Sequence, residues 1–102
     1  MFGLPEATKN AMNAVFERHP EIRRVVIYGS RAKGTQRRGS DIDLTLQGKG
    51  VDDRVLSQVQ VGLDDLNTPY LMDVSIFDEI TSQALREHIQ RVGRVFYAAD
   101  DS

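Results

Sequence analysis

The sequence predicts a small domain of the α/β (α+β) class, because helix-like and strand-like segments alternate along a chain of 102 residues. A hydrophobic content of 40% over this length is enough for one core, without room for a separate acceptor-recognition domain. We therefore expect a single domain over residues 1–99, followed by a short acidic tail at residues 100–102.

Three segments have the apolar spacing of helices. Pro5 suits the first turn of a helix that runs to about Arg18, with apolar residues at steps of three and four. A second helix is expected from Val55 to Leu66, and the third is expected to be capped by Asp78 and to carry apolar residues up to Val92. Residues 31–40 combine glycines with basic side chains, which predicts a short helical turn followed by a loop.

The strand-like segments lie between these helices. The β-branched run Val25 to Tyr28 predicts a buried strand that Gly29 closes. Residues 41–46 alternate between polar and apolar, and residues 70–77 form a mostly apolar strand interrupted by one carboxylate. Residues 95–97 are expected to form a short terminal strand.

Composition excludes several kinds of protein. The chain has no cysteine, which removes disulfides and thiolate metal sites. A net charge of -2 disfavours general binding to the nucleic-acid backbone. Charged and amide side chains interrupt the first twenty residues, so that we expect neither a signal peptide nor a membrane span, and a soluble, cytoplasmic protein.

The polar residues that are candidates for chemistry lie in predicted strands or directly after them. Asp41 and Asp43 share one face of a strand, and Asp73 is the one carboxylate within a later, mostly apolar strand. Carboxylate oxygens with open positions suit Mg²⁺ or Mn²⁺. Gly29 and Ser30 follow a strand, where a glycine lets the backbone approach a phosphate and a serine adds a hydroxyl donor. Alone, each pattern is an ordinary solvated face or turn; together they predict a phosphate-binding turn that faces a metal site.

The segment GSRAKGTQRRGSDIDLTL, residues 29–46, resembles the signature of the DNA polymerase β-like nucleotidyltransferase superfamily, in which Gly-Ser is followed after ten residues by Asp-x-Asp. With Asp73 and the small size, the chain most resembles the minimal nucleotidyltransferase (MNT) branch. This resemblance implies a small mixed β-sheet packed with about four helices. It also implies that Asp41 and Asp43 bridge two Mg²⁺ ions and that Asp73 joins one of them and helps to deprotonate the attacking hydroxyl.

The same resemblance implies that Gly29 and Ser30 hold the β- and γ-phosphates of ATP. Arg31 and Lys33 directly follow and are further candidates for nucleotide binding, with solvated side chains as the alternative. His19 and His88 are interpreted as structural or surface residues.

Free-standing MNT proteins pair with HEPN-domain ribonuclease toxins, so that the resemblance implies an antitoxin that transfers AMP from ATP to a tyrosine hydroxyl of its cognate toxin. Two alternatives remain open: an antitoxin that acts only by binding the toxin, and a nucleotidyltransferase of the aminoglycoside-modifying kind. Whether the chain forms a homo-oligomer or a hetero-oligomer with the toxin is also open.

Overall fold

The computed structural model describes residues 3–34 and 41–99 and contains a four-stranded sheet. Its strands are β1 (Arg24–Tyr28), β2 (Ile42–Gln47), β3 (Met72–Ile76) and β4 (Arg94–Ala98), in the spatial order β3-β2-β1-β4. β1 pairs antiparallel with both β2 and β4, whereas β2 and β3 are parallel. The expected mixed sheet is therefore confirmed, and β3 lies at one edge of it.

The helices are α1 (Glu6–Glu17), α2 (Ser30–Lys33), α3 (Asp53–Asp64) and α4 (Gln83–Val92), with a 3-10 turn at Phe77–Glu79. Pro5 precedes α1 as expected, and Asp52 caps α3 by accepting a hydrogen bond from the Val55 amide at 2.9 Å. Over residues 3–34 and 41–99, each helix is too short or too polar to cross a membrane. Residues 35–40 of the expected loop and the expected tail at 100–102 lie outside the described residues.

The expectation that Asp78 caps the last helix was wrong. Asp78 lies inside the 3-10 turn, and Ile80 adopts an extended backbone that interrupts the helical path. Ser82 caps α4 instead, since its hydroxyl accepts a hydrogen bond from the Leu85 amide at 3.2 Å. The Arg86 guanidinium donates to the carbonyls of Phe77 at 2.8 Å and Ile80 at 3.2 Å, which satisfies the turn without a continuous helix.

The sheet separates two apolar clusters of unequal size. The larger one packs α1 and α3 against one face of the sheet, which receives the alternate side chains of β2: Ile42, Leu44 and Leu46. The smaller one lies on the opposite face, where Ile89 of α4 packs with Val26 and Phe77. Because Thr45 pairs with Val26 in register, Asp43 and Thr45 belong to this second face. The polar side chains of β2 thus lie on the less heavily covered side.

Candidate functional site

The turn that follows β1 is shaped by a glycine. Gly29 has φ +78° and ψ −154°, a backbone region that is essentially restricted to glycine. A β-carbon at this position would lie 2.5 Å from the Asp43 Oδ2 atom. The backbone of the turn therefore lies directly against the Asp43 carboxylate, and only a residue without a side chain permits this close approach.

Two of the predicted carboxylates meet across the parallel strands. Asp43 and Asp73 are register partners, on strands that in proteins lie about 4.8 Å apart, so that their side chains leave the same face of the sheet. Asp41 immediately precedes β2 and lies two residues before Asp43, which directs it to the same side. Asp41 and Asp73 are exposed, whereas Asp43 is half-buried.

Asp43 lies where negative charge is concentrated. Burial raises the pKa of its carboxyl, and the charges of Asp73 and then Asp41 raise it further. The neighbouring His88 opposes these effects and lowers the same pKa. The fold therefore gathers carboxylates that repel one another at one end of the sheet.

The donor set at this end of the sheet fits a divalent cation such as Mg²⁺ in its chemistry. Its carboxylates offer oxygen atoms, and the repulsion at Asp43 favours a cation. Within residues 3–34 and 41–99, no three or more Asp, Glu, His or Cys side chains are grouped as a complete metal-binding cluster. The pairing that the fold itself supplies is Asp43 beside Asp73, and Mg²⁺ commonly uses one or two carboxylates together with substrate phosphates.

A layer of hydroxyl groups lies next to the carboxylates on the same face of the sheet. Tyr28 pairs with Asp43 in register and shares a side-chain hydrogen bond with Ser75. Burial raises the pKa of the Tyr28 phenol, the hydrogen bond with Ser75 lowers it, and the charges of Asp43 and Asp73 raise it. Ser75 in turn lies 3.1 Å from the hydroxyl oxygen of Thr45. Tyr28 is thus part of the site.

His88, which the sequence indicated to be a structural or surface residue, lies beside these groups. Its ring packs edge-on against Tyr28, with 6.3 Å between centroids, and its charge reaches Asp43. His88 is three residues beyond Leu85 and adjacent to Ile89, both of which pack in the smaller cluster. That helical spacing is the signal that would have placed His88 on the sheet-facing side of α4.

The three candidates for nucleotide binding that follow Gly29 differ in their surroundings. Ser30 begins α2 and is half-buried, and Lys33 is exposed at the end of the same helix. Arg31 is only 3% exposed, and its guanidinium lies 4.9 Å from the centroid of the Tyr70 ring. This contact connects the turn with the segment that enters β3, and the expected nucleotide contacts of Ser30, Arg31 and Lys33 remain predictions.

Comparison with solved structures finds similar folds in toxin–antitoxin complexes. A chain of a toxin–antitoxin complex with AMP-PNP has a TM-score of 0.69 at 20% identity, covering 89% of this chain and 73% of that one. A chain of a complex between tri-AMPylated Shewanella oneidensis HEPN toxin and MNT antitoxin has a TM-score of 0.64 at 14% identity, covering 92% and 72%.

A nucleotidyltransferase-like protein of similar length is also related in fold. This protein, from Sulfolobus solfataricus and described as a putative nucleotidyltransferase, has a TM-score of 0.56 at 17% identity, covering 98% of this chain and 95% of that one. A search of curated protein sequences finds no significant match.

A sequence model of a protein family assigns the chain to a family without reference to these structures. The model described as polymerase beta, nucleotidyltransferase matches residues 10–102, a range that contains Gly29, Asp43 and Asp73. The chain therefore belongs to the polymerase β nucleotidyltransferase family.

Proposed function

We propose that this protein is a Mg²⁺-dependent antitoxin that transfers AMP from ATP to a tyrosine hydroxyl of a cognate HEPN ribonuclease toxin and so neutralises it. The observation that carries the proposal is the side-by-side register of Asp43 and Asp73, with the glycine turn against Asp43. This arrangement places a glycine turn, whose backbone can approach a phosphate, beside carboxylates of the kind that two-metal catalysis requires.

In the proposed site, each group of the chain has a separate task. Gly29 admits the β- and γ-phosphates close to the backbone, and Ser30 donates its hydroxyl to them. Asp41, Asp43 and Asp73 hold two Mg²⁺ ions together with water and phosphate oxygens, and Mn²⁺ is an acceptable substitute. When bound, the metal ions supply positive charge for the reacting oxygens and for the leaving pyrophosphate.

The transfer itself exchanges one phosphorus–oxygen bond for another. The acceptor oxygen forms a bond to the α-phosphorus of ATP, while the bond from that phosphorus to the oxygen bridging to the β-phosphate breaks. Pyrophosphate leaves, and Asp73, which is exposed at the sheet edge, accepts the proton of the acceptor hydroxyl. The exposure of Asp73 and Asp41 leaves room for an acceptor that another protein supplies.

The choice of nucleotide and partner is supported by the related complexes. One of them was crystallised with AMP-PNP, and another contains an AMPylated HEPN toxin bound to an MNT antitoxin.

The test is the intact mass of the cognate HEPN protein after incubation with this protein, ATP and Mg²⁺. We expect a gain of one or more AMP units, which the double variant Asp41→Asn/Asp43→Asn abolishes. Asp64→Asn/Asp65→Asn is a matched control, since it removes the same charge from exposed positions at the end of α3. This control should modify the toxin like the unchanged protein.

The outcomes separate the candidate functions. A toxin that is inhibited without a change in mass would identify an antitoxin that acts only by binding. A toxin that is neither modified nor inhibited would refute the antitoxin proposal, and equal modification by the Asp41→Asn/Asp43→Asn variant would refute the assigned site.

A further inference from the structure

A pair of hydroxyl groups links β2 and β3 next to the carboxylates. Thr45 and Ser75 are register partners, one pair further along the same face than Asp43 and Asp73. Their hydroxyl oxygens are 3.1 Å apart, and the Thr45 hydroxyl also donates to the Ser75 carbonyl at 3.5 Å. The two strands are therefore joined by side chains as well as by their backbone ladder.

The Thr45 hydroxyl is not required for packing. Thr45 is fully buried, and its register partner on β1 is the apolar Val26. A valine would have the same shape without a polar atom to desolvate, and burying a hydroxyl costs free energy unless it is hydrogen-bonded. Because the hydrogen-bond partners of Thr45 are on Ser75, the gain from this hydroxyl lies in the link between β2 and β3.

This link lies next to two carboxylates of like charge. Asp43 and Asp73 repel each other across the same two strands, and the charge of Asp73 raises the pKa of Asp43. β3 is an edge strand, so that within the sheet only β2 holds it. The Ser75 hydroxyl also lies 3.4 Å from the Leu44 carbonyl of β2. The two strands are thus joined by several side-chain hydrogen bonds beside the repelling pair.

We propose that Thr45 and Ser75 are positioning residues, which hold Asp43 and Asp73 at the spacing required to bind a divalent metal ion with the triphosphate. This inference rests on the proposed function, since it assigns metal binding to the two carboxylates. The hydroxyl groups act through the strands and do not contact the reactants.

Binding of Mn²⁺, with and without AMP-PNP, tests the proposal when it is followed by electron paramagnetic resonance on purified protein. Thr45→Val and Ser75→Ala should each weaken Mn²⁺ binding by about tenfold, as is typical when a residue supporting a metal ligand is removed. Thr45→Ser retains the hydroxyl and should bind Mn²⁺ like the unchanged protein. The double variant Thr45→Val/Ser75→Ala should bind Mn²⁺ more weakly than either single variant, but by less than the product of the two single effects. The two residues share one hydrogen bond, whereas Thr45 also donates to the Ser75 carbonyl and Ser75 also donates to the Leu44 carbonyl.

A control for general destabilisation is available in the larger core. Val59 is fully buried in α3 on the other face of the sheet, and Val59→Ala should lower the melting temperature without changing Mn²⁺ affinity. Equal weakening by Val59→Ala, or unchanged Mn²⁺ binding by Thr45→Val, would overturn the positioning role. If the unchanged protein binds no Mn²⁺ under either condition, the proposed metal-dependent function is overturned together with it.

Discussion

Gly29→Ala is the substitution whose consequences the structure defines most sharply. The backbone at Gly29, with φ +78° and ψ −154°, is outside the regions that an alanine adopts readily. The added methyl group would lie 2.5 Å from the Asp43 Oδ2 atom, so that the carboxylate has to move. One methyl group therefore strains the turn and displaces a proposed metal ligand.

The two effects differ in size and in the property that they change. Backbone strain of this kind costs roughly 1–3 kcal/mol of unfolding free energy. For a domain of this size, a loss of about 2 kcal/mol lowers the melting temperature by roughly 10 °C. The displacement of Asp43 adds less to the stability loss, because a half-buried side chain can rotate away, but it removes the carboxylate from its register position beside Asp73. Transfer should be lost more completely than stability.

Gly34→Ala provides the matched control. Gly34 also has a positive φ, of 75°, but it adopts the ordinary left-handed conformation, and nothing lies within 4 Å of an added β-carbon. We expect a stability loss of about 1 kcal/mol, normal Mn²⁺ binding and normal transfer. Urea unfolding and the mass assay on the toxin, applied to both variants, separate strain from displacement.

A double-mutant cycle isolates the contact between Gly29 and Asp43. In an Asp43→Ala background, the clash with Oδ2 disappears, and Gly29→Ala should cost only the strain. Two outcomes would refute the close approach of Gly29 to Asp43. One is an unchanged rate of AMP transfer by Gly29→Ala, and the other is a stability loss equal to that of Gly34→Ala in both backgrounds.

Three further predictions concern charge, stacking and capping. Asp43→Asn should raise the free energy of unfolding at pH 7 by on the order of 0.5 kcal/mol after solvent screening. Urea unfolding should show that this gain becomes smaller towards acid pH, and a gain independent of pH would contradict the prediction. Arg31→Met and Tyr70→Leu should be non-additive by roughly 1 kcal/mol in thermal unfolding, whereas Tyr70→Phe should keep the interaction, and strict additivity would contradict the stacking. Ser82→Ala should cost about 1 kcal/mol in urea unfolding and Asp78→Ala almost nothing; the reverse order would restore Asp78 as the cap.

The sign of the Asp43 effect follows from its pKa. Burial and neighbouring carboxylates raise that pKa in the folded state above its ordinary value. Between the ordinary and the raised value, the folded protein binds more protons than the unfolded chain, so that stability falls as the pH rises through this interval. The loss persists at neutral pH, where removal of the charge should therefore stabilise the fold.

Local patterns were sufficient to predict the elements and one face of the site. The alternation of residues 41–46 correctly separated Asp41 and Asp43 from the apolar side chains that enter the larger core. The β-branched run before Gly29 correctly predicted a buried strand, because such side chains favour the pleated conformation. Both predictions depend on neighbouring residues only.

Features that depend on distant residues could not be predicted in this way. No local pattern specifies that Asp43 pairs with Asp73, since the register is set by the packing of both strands against the rest of the domain. The Asp78 prediction was wrong because Arg86, eight residues later, satisfies the carbonyls of the preceding turn. The contact of His88 with Tyr28 could not be predicted, because it depends on where α4 lies across the sheet.

Stability and transfer should change in opposite directions when Asp43 is replaced and in the same direction when Thr45 is replaced. Asp43 carries a charge that burial and its neighbours disfavour, so that Asp43→Asn stabilises the fold while it removes a ligand. Thr45 forms hydrogen bonds that contribute to the fold, so that Thr45→Val weakens both the fold and the site. Measuring unfolding free energy and Mn²⁺ affinity for each variant therefore assigns a residue to one role or the other without any knowledge of the acceptor.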